Sequence, residues 1–286
     1  RGASKKLNAT AVKGRFPGGT LFFFSLLRIF PILVVSDAVA YFRQWQESPR
    51  IAGWAGAGSA AAGTVDGFFL NPAALGPFSG LQAVAEYGAW PSGWSDGSSL
   101  SESGLRVGWP WPGGSLGVSW HTRGLASLFR EEMLSLALAG PTPWGGGDVV
   151  GAAFKWLSVV QEPTIFTVSN PSFISLNTQA LSVDVGWRAD LSPDWKMGVS
   201  LRNLNQPVLS MVGDQAAQPM EIQLGLLCQA DDAWRFVMDP AWRAGTGRLQ
   251  VGMEHVWPEI PAAVRLGAQW VAEPGLGIQW TKLNVG

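Results

Sequence analysis

The chain has 286 residues, of which 47% are hydrophobic and only 14% are charged, with 36 Gly and 16 Trp. A soluble globular domain averages about 25% charged residues, so we expect something other than water to cover much of this surface. The 20 Lys and Arg residues nearly balance the 21 Asp and Glu residues, which excludes the strongly basic surface typical of nucleic-acid binding. One cysteine, Cys228, excludes an internal disulfide, and two histidines, His121 and His255, leave little for metal or triad chemistry.

The first 40 residues have the order of a secretory signal. A basic start without acidic residues leads into an apolar stretch at 21–35, and an Ala-x-Ala motif at 38–40 matches a signal-peptidase site. A single transmembrane anchor is the alternative, but Arg28 and Pro31 leave fewer than the roughly 20 clean apolar residues that a spanning helix needs. Since the chain does not begin with Met, we expect residues 1–40 to be a signal peptide with an upstream extension.

Residues 51–79 show no alternation and are instead rich in small side chains. Gly and Ala dominate the run at 51–62, and they allow a backbone to pack closely against another surface. Asn before Pro then favours a turn of fixed direction. The motif that follows the Gly/Ala run consists of Asp66, Phe68, Phe69, Asn71, Pro72, Ala73 and Leu75.

From about residue 80 onward, apolar residues alternate with small or polar ones, most clearly at 181–188 and 196–202. A period of two predicts β-strands. No other stretch approaches a spanning helix, so a membrane protein of this sequence would need a closed barrel. We predict twelve strands, near 80–90, 104–110, 114–122, 131–139, 148–159, 179–189, 194–203, 219–229, 232–239, 247–256, 262–271 and 275–283.

The two faces of these strands differ in chemistry. One face is apolar, whereas the other carries Gly, Ser, Gln and isolated charges, with fewer Lys and Glu than the water-facing side of a soluble sandwich. We therefore expect the apolar face to meet lipid and the other face to line a lumen, in which charges pair across strands and favour a plugged barrel over a wide aqueous pore. The charged residues predicted to face the lumen are Asp184, Arg188, Lys196, Arg202, Arg235, Asp239, Glu254 and Arg265.

The connections and the tryptophans predict how the strands sit in a membrane. Short turns are predicted on the periplasmic side, near 112–114, 141–147, 192–194, 230–232 and 273–275. Longer connections, at 91–103, 161–178 and 205–218, are predicted to be extracellular loops. Tryptophans near strand ends predict an aromatic girdle at the membrane interfaces, formed by Trp109, Trp111, Trp120, Trp187, Trp195, Trp257, Trp270 and Trp280.

The last predicted strand stops at 283 without the terminal aromatic strand that usually closes such barrels. We therefore expect a C-terminal truncation that removes one hairpin, leaving about twelve visible strands of about fourteen. The predicted fold is an all-β, antiparallel up-and-down transmembrane barrel at 80–286, preceded by the segment at 41–79 and the signal region at 1–40.

The Gly/Ala run and the motif ending at Leu75 resemble the long-chain fatty-acid transporter (FadL-like) superfamily of outer-membrane barrels. They resemble more closely the PorV-like proteins associated with type IX secretion. In both groups a Gly/Ala-rich run, an acidic residue and an aromatic pair precede Asn-Pro-Ala-x-Leu. A second match lies at 181–186 and 197–204, where an Asp-x-Gly strand precedes a Gly-x-x-x-x-Asn-Leu strand, as in PorV-like chains.

This resemblance implies a fourteen-stranded barrel whose lumen holds an N-terminal hatch, here residues 41–79. It implies a barrel that docks secreted proteins if the chain is PorV-like, or one that passes hydrophobic small molecules past the hatch if it is FadL-like. The second match favours a PorV-like role in protein secretion and surface attachment, with FadL-like transport as the alternative. A soluble β protein, and a lumen segment without a gating role, are further alternatives.

Motifs of catalysis are not found in the sequence, which has no Gly-x-Ser-x-Gly elbow, P-loop or His-Glu-x-x-His. We therefore expect no enzymatic activity, no cofactor and no metal site. The expected partners are outer-membrane lipid, together with secreted proteins or secretion-system subunits, or else a hydrophobic small molecule, and not nucleic acid. The expected location is the outer membrane of a bacterium.

Overall fold

The structure is a computed structural model that describes residues 48–76, 79–90, 100–125, 128–163, 168–170, 175–210, 215–260, 262–273 and 277–285. The predicted signal region at 1–40 and the first part of the predicted hatch, at 41–47, lie outside the described residues. Within the described ranges, no helix is long and apolar enough to cross a membrane.

Two short helices precede the strands: α1 spans Pro49–Gly53 and a 3-10 helix spans Pro72–Leu75. Proline stands in the first turn of each, where its fixed φ and missing N–H suit a helix start. The strands are β1 Gln82–Trp90, β2 Leu100–Trp111, β3 Gly114–Leu125, β4 Phe129–Pro141, β5 Val149–Gln161, β6 Leu176–Asp190, β7 Trp195–Arg202, β8 Val208–Ser210, β9 Gln215–Ala217, β10 Glu221–Gln229, β11 Trp234–Arg243, β12 Thr246–Trp257, β13 Ala262–Glu273 and β14 Gly277–Val285.

Twelve of these strands form one antiparallel sheet in the order β1-β2-β3-β4-β5-β6-β7-β10-β11-β12-β13-β14. Each strand pairs with its neighbours along the chain, except that β8 and β9 form a separate hairpin between β7 and β10. The up-and-down order confirms the predicted fold class, and the twelve strands match the twelve predicted ones to within a few residues. The β8–β9 hairpin lies in 205–218, which the sequence predicts to be an extracellular loop.

The antiparallel order divides the connections between two ends of the sheet. We call one end of the sheet the turn end; it carries the connections after β2, β4, β6, β10 and β12. We call the opposite end the loop end; it carries the connections after β1, β3, β5, β7, β11 and β13. The longest connections, after β5 and β7, both lie at the loop end. The prediction that 273–275 belongs with the periplasmic turns is wrong, because β13 runs from the turn end to the loop end.

The outer face of the sheet is apolar and the inner face carries many polar side chains, which is the reverse of a soluble protein. On β4, Leu134, Leu136 and Leu138 point outward and are 39–47% exposed, whereas Glu131 and Ser135 point inward and are buried. The same alternation recurs along the other long strands. An apolar outer surface around a polar interior is the organisation of a transmembrane β-barrel of the outer-membrane type.

Four exposed tryptophans stand on the outer face near the turn end of the sheet. Trp109, Trp111, Trp195 and Trp257 are 40–63% exposed and lie in the terminal residues of β2, β7 and β12. Rings at this height fit the interfacial girdle of a membrane barrel. Trp187 does not belong to this exposed band, since its side chain is only 4% exposed.

Candidate functional site: the plugged lumen

Residues 48–76, called the plug below, lie on the inner face of the sheet and reach strands far apart in its order. The Gln82 side chain of β1 donates to the Gly63 carbonyl at 2.9 Å and accepts from the Val65 amide at 3.1 Å. Near the opposite end of the sheet, Gly53 packs directly against Arg265 of β13. Because one short segment touches strands from β1 to β13, the sheet wraps around it as the wall of a barrel.

The plug approaches the wall closely at inward positions that carry no side chain. A Cβ added at any of these glycines would come within 2.7 Å of a plug atom. Because glycine has no side chain, these positions leave room for the plug to pack directly against the backbone of the strands. The glycines that form this belt are Gly117 of β3, Gly151 of β5, Gly186 of β6, Gly198 of β7, Gly225 of β10, Gly252 of β12 and Gly267 of β13.

Asp239 of β11 anchors the middle of the plug. One of its carboxylate oxygens, Oδ2, accepts hydrogen bonds from the Gly58 amide at 3.0 Å, the Ser59 amide at 2.8 Å and the Ser59 hydroxyl at 2.6 Å. Gln223 of β10 donates a fourth, at 2.9 Å. Asp239 is fully buried, so its charge is balanced by these aligned donors rather than by water. The sequence predicts Asp239 as a lumen-facing charge, but the pattern does not reveal its partners in the plug.

Two glutamines extend this polar contact along the plug. Gln250 of β12 donates to the Ala55 carbonyl at 3.1 Å, and Gln223 donates to the Gly56 carbonyl at 3.5 Å. Ala55 has a φ of 55° and Gly56 a φ of 92°, so both lie in the left-handed region and reverse the chain after α1. The amides thus bind carbonyls that this turn leaves without a helical partner.

Asn71 of the predicted hatch motif ties the plug to itself and to the wall. Its side-chain nitrogen donates to the Ser59 carbonyl at 2.8 Å and to the Trp187 carbonyl at 3.0 Å. Its side-chain oxygen caps the 3-10 helix by accepting from the Ala73 amide at 3.0 Å. The Asn-Pro-Ala sequence therefore starts the 3-10 helix and fixes it against β6, which explains why an amide followed by proline suits this position.

Phe69, the second residue of the motif's aromatic pair, packs on the strands β2 and β3. Phe68 and Phe69 are stacked with ring centroids 4.6 Å apart. The Arg106 guanidinium lies 4.7 Å from the Phe69 ring centroid, and the His121 ring meets Phe69 edge-on at 4.6 Å. Asp66, the acidic residue of the motif, is half-buried in the plug. Phe69 therefore rests on a cationic wall residue, a contact that attracts the face of an aromatic ring.

An apolar cluster joins the plug to β4 and β5. Leu75 and Ala73 of the motif are fully buried in it, together with Val65 and Phe68. The wall contributes small and medium side chains to the same cluster, namely Ala137, Ala139, Val149 and Ala153. We call this contact the apolar seam. Its attraction is non-directional, unlike the hydrogen bonds around Asp239.

Three of the predicted lumen charges converge on one point near the turn end. The Glu254 carboxylate of β12 receives Arg235 of β11 at 2.7 Å and Arg265 of β13 at 2.6 Å. Arg50 of α1 adds a third guanidinium at 3.5 Å. Glu254 is 1% exposed, so its buried charge is compensated by these three guanidiniums. Through them Glu254 links its two neighbouring strands and the start of the plug, and we call such a carboxylate a hub.

A second hub of the same kind lies nearer the loop end. Glu221 of β10 binds Arg202 of β7, Arg248 of β12 at 2.5 Å and Arg243 of β11 at 3.8 Å. Of these residues, only Arg202 is among the predicted lumen charges. Glu221 and Arg248 also stand on the polar face of predicted strands, so the period of two contains a signal for them, whereas Arg243 lies beyond the predicted end of its strand.

The two parts of the second sequence match, the Asp-x-Gly strand and the Asn-Leu strand, contact each other in the structure through Asp184 and Asn203. Asp184 of β6 accepts a hydrogen bond from the Asn203 amide at 2.8 Å and pairs with Lys155 of β5 at 2.7 Å. The Asn203 side-chain oxygen accepts from Lys155 at 3.1 Å and from Ser182 at 2.9 Å. With a φ of 52°, Asn203 turns the chain as it leaves β7. The contact therefore fixes where the long connection after β7 begins.

The remaining predicted lumen residues lie close to the turn end. Arg188 of β6 is 6% exposed and pairs with Asp190 at 2.5 Å. Lys196 of β7 stands opposite Asp190 in the strand register. Across the described residues, no group of three or more His, Cys, Asp or Glu side chains is arranged to hold a metal ion.

Comparisons with known proteins add little to this geometry. No protein-family model and no curated protein sequence matches the chain. Among solved structures it is similar to a KdgM porin, at 8% identity and a TM-score of 0.40, over 72% of this chain and 95% of that one. It is also similar to the Ralstonia pickettii toluene transporter TbuX, at 12% identity and a TM-score of 0.42, over 83% of this chain and 86% of that one. At such scores the fold assignment rests on the strand pairing and polar interior of this chain itself.

Proposed function

We propose that this barrel lies in a bacterial outer membrane and lets hydrophobic small molecules cross it past the plug. The observation that carries the proposal is that the plug meets two walls of different chemistry. Asp239, Gln223 and Gln250 hold it to one wall by buried hydrogen bonds. The apolar seam joins it to β4 and β5 through Val65, Leu75 and their neighbours.

A hydrophobic solute can replace the contacts of the apolar seam but not those of the hydrogen-bonded wall. Apolar contacts are non-directional, so a solute that separates the plug from Ala137 and Ala153 restores similar contacts on both sides. Separating the plug from Asp239 would instead leave several buried donors without an acceptor, at about 1–3 kcal/mol for each group. Separating the plug from the wall at the apolar seam therefore costs less free energy than separating it at Asp239.

Further apolar side chains continue the seam along the inner faces of the same two strands. Met133 of β4 and Leu157 and Val159 of β5 are all buried, and they lie between the seam and the loop end. Polar side chains interrupt the stripe at two levels: Ser135 and Lys155 stand opposite each other next to the seam, and Glu131 stands opposite Val159 near the loop end. We propose that a hydrophobic solute enters from the loop end, follows this stripe and passes the plug at the apolar seam.

The test is uptake of radiolabelled naphthalene by cells that carry an intact outer membrane and express the chain. Ala153→Phe fills the seam at its centre, and we expect the variant to lose most of the uptake that the wild-type chain adds. Ala152→Phe is the matched control, because Ala152 is the next residue of β5 and points outward. Equal uptake in Ala153→Phe and wild type, with both variants folded by heat-modifiable gel migration, would contradict the proposal.

A PorV-like docking role is the second candidate, and one observation favours it. The Asp184–Asn203 contact and the β8–β9 hairpin give the described parts of the long connection after β7 a defined form at the loop end. Such a fixed surface is what a secreted protein or a secretion-system subunit would need in order to dock. The hydrogen bond of 2.8 Å between the Gln218 amide and the Pro207 carbonyl closes the base of the hairpin.

Replacing residues 208–217 by a short Gly-Ser linker separates the two candidates. If docking is the function, secretion or surface attachment of cargo in the native host falls while naphthalene uptake is unchanged. If transport is the function, the linker variant leaves secretion intact, and only variants of the seam such as Ala153→Phe have an effect.

A further inference from the structure

A histidine stands among aromatic rings on the outer, lipid-facing side of the wall. His255 of β12 lies 4.4 Å from the Trp234 ring and 4.6 Å from the Trp257 ring, measured between centroids. Phe236 stacks beside Trp234 with a centroid separation of 6.3 Å. In the strand register His255 is opposite Trp234 of β11 on one side and Val264 of β13 on the other. The imidazole is therefore surrounded by apolar groups of the wall.

Charged or imidazole side chains are scarce on this outer face. At the outward positions of the described strands β1–β7 and β10–β13 they are Arg130, Glu132 and His255. Arg130 and Glu132 lie at the loop end of β4 and pair with each other at 3.6 Å. His255 lies at the other end of the sheet, where its ring packs against the rings of Trp234 and Trp257. A polar group on a lipid-facing surface needs a hydrogen-bond partner, since unsatisfied groups there cost several kcal/mol.

The orientation of the ring decides which nitrogen is available. Nδ1 is enclosed and has no hydrogen-bond partner among the described residues. Burying an N–H without an acceptor is rarer in proteins than burying an unused lone pair, so the neutral ring is better placed with its proton on Nε2. An Nε2–H, on a different edge of the ring from the enclosed Nδ1, is then the donor left for an acceptor outside the protein.

The height of His255 in the wall identifies that acceptor. Trp257 ends β12 at the turn end, and His255 precedes it by two residues. On a tilted strand two residues correspond to about 5 Å of depth. His255 therefore lies just inside the level of the exposed Trp109, Trp195 and Trp257 rings, where lipid phosphates and glycerol esters are found.

We propose that His255, between Trp234 and Trp257, binds the phosphodiester group of a phospholipid in the leaflet at the turn end. The imidazole Nε2–H donates to a phosphate oxygen, and the two indole rings pack on the glycerol and the upper acyl chain. Phe236, which is 43% exposed on the same face, extends the apolar contact toward the membrane centre. The site is independent of the plug and of whatever the barrel transports.

Native mass spectrometry of the barrel purified in a phosphate-free detergent tests the proposal. After extensive washing we expect the wild-type protein to retain a phospholipid. His255→Leu should reduce its occupancy about tenfold, the effect of losing a hydrogen bond to a charged group. His255→Gln keeps a donor and should restore most of the occupancy. Trp242→Phe is the matched control, since Trp242 is an exposed outer-face aromatic near the loop end.

Three outcomes would overturn the proposal. In the first, His255→Leu folds, as judged by heat-modifiable migration, and retains as much phospholipid as wild type. In the second, inorganic phosphate binds the wild-type protein but not His255→Leu, and it displaces no lipid. The site would then be one for free phosphate and not for a phospholipid. Loss of lipid in Trp242→Phe to the same extent as in His255→Leu would also count against it, because the effect would then be general to the aromatic surface.

Discussion

Asp239 and Ser59 are 180 residues apart in the sequence and are joined by two hydrogen bonds, of 2.8 Å from the Ser59 amide and 2.6 Å from its hydroxyl. One residue belongs to the wall and the other to the plug, and both are fully buried. The amide of Gly58 reaches the same carboxylate oxygen at 3.0 Å. This contact fixes the middle of the plug to the wall formed by β10–β12.

Replacing Asp239 by Ala should loosen the plug at this point. Gly58 and Ser59 would lose the acceptor for their amides, and each hydrogen bond to a charged group contributes about 1.5–3 kcal/mol. We expect local opening to become easier by about 2 kcal/mol, which corresponds to about 30-fold faster hydrogen exchange of these two amides. Hydrogen exchange with mass spectrometry in detergent measures this. Asp232→Ala, in the exposed turn before β11, is the control and should leave the exchange unchanged.

Adding a methyl group at Gly151 should displace the plug from β5. The new Cβ would lie 2.5 Å from the Pro72 carbonyl carbon, and backbone at this distance cannot yield as a flexible side chain can. Overpacking of this kind costs about 1–3 kcal/mol. We expect Gly151→Ala to lower the thermal midpoint of the barrel and to increase protease cleavage within the plug. Gly80→Ala is the control, since no atom lies within 4 Å of its Cβ position. Identical midpoints for the two variants would refute the close-packing argument.

Replacing Glu254 by Gln should leave three guanidiniums, those of Arg50, Arg235 and Arg265, without the charge that gathers them. The arginine side chains are 19–29% exposed, so solvent reduces the cost below that of a fully buried pair. We expect a loss of about 2 kcal/mol in the free energy of unfolding, partly recovered at high salt. Denaturant unfolding over a salt series measures both effects. Glu132→Gln, in the exposed pair with Arg130, should cost less than about 0.5 kcal/mol.

The wall of this barrel is predictable from sequence because lipid and lumen impose opposite chemistries on alternate residues. That constraint applies at every position of 181–188 or 196–202, so each strand carries its own signal and all twelve strands are found. Boundaries are less certain where a local rule conflicts with the tertiary structure. The predicted strand ends at Asp239, before Pro240, although β11 continues to Arg243 and pairs Pro240 with Leu249.

The contacts of the plug are not predictable in this way, because they join residues far apart in sequence through geometry alone. The period of two indicates that Asp239 faces inward, but not that its partners are Gly58 and Ser59. The same holds for Glu221, whose three arginines come from three different strands. The glycines of the belt are visible in the sequence, but only the register shows that Gly151 and Gly186 stand side by side behind Asn71 and Pro72.

Two substitutions at Asn203 should differ in a way that separates backbone strain from side-chain bonding. Asn203 has a φ of 52°, which costs alanine about 1–2 kcal/mol but glycine almost nothing. Both variants lose the contacts of the Asn203 side chain with Lys155 and Ser182. We therefore expect thermal stability to fall in the order wild type, Asn203→Gly, Asn203→Ala, with about 1 kcal/mol between the last two. Equal stability of the two variants would show that the turn relaxes when the side chain is removed.

The membrane itself is tested by placing a charge at two heights, one in the middle of the outer face and one in a turn at the turn end. Leu136, in the middle of β4, and Leu191, just after β6 at the turn end, are 46% and 50% exposed. In a water-soluble protein lysine would be tolerated about equally at both positions, because their exposure is alike. In a bilayer Leu136→Lys should cost about 2–4 kcal/mol and Leu191→Lys about 0–1 kcal/mol, since the penalty depends on depth. Urea titrations of folding into lipid vesicles measure the difference, and equal costs would mean that lipid does not surround β4.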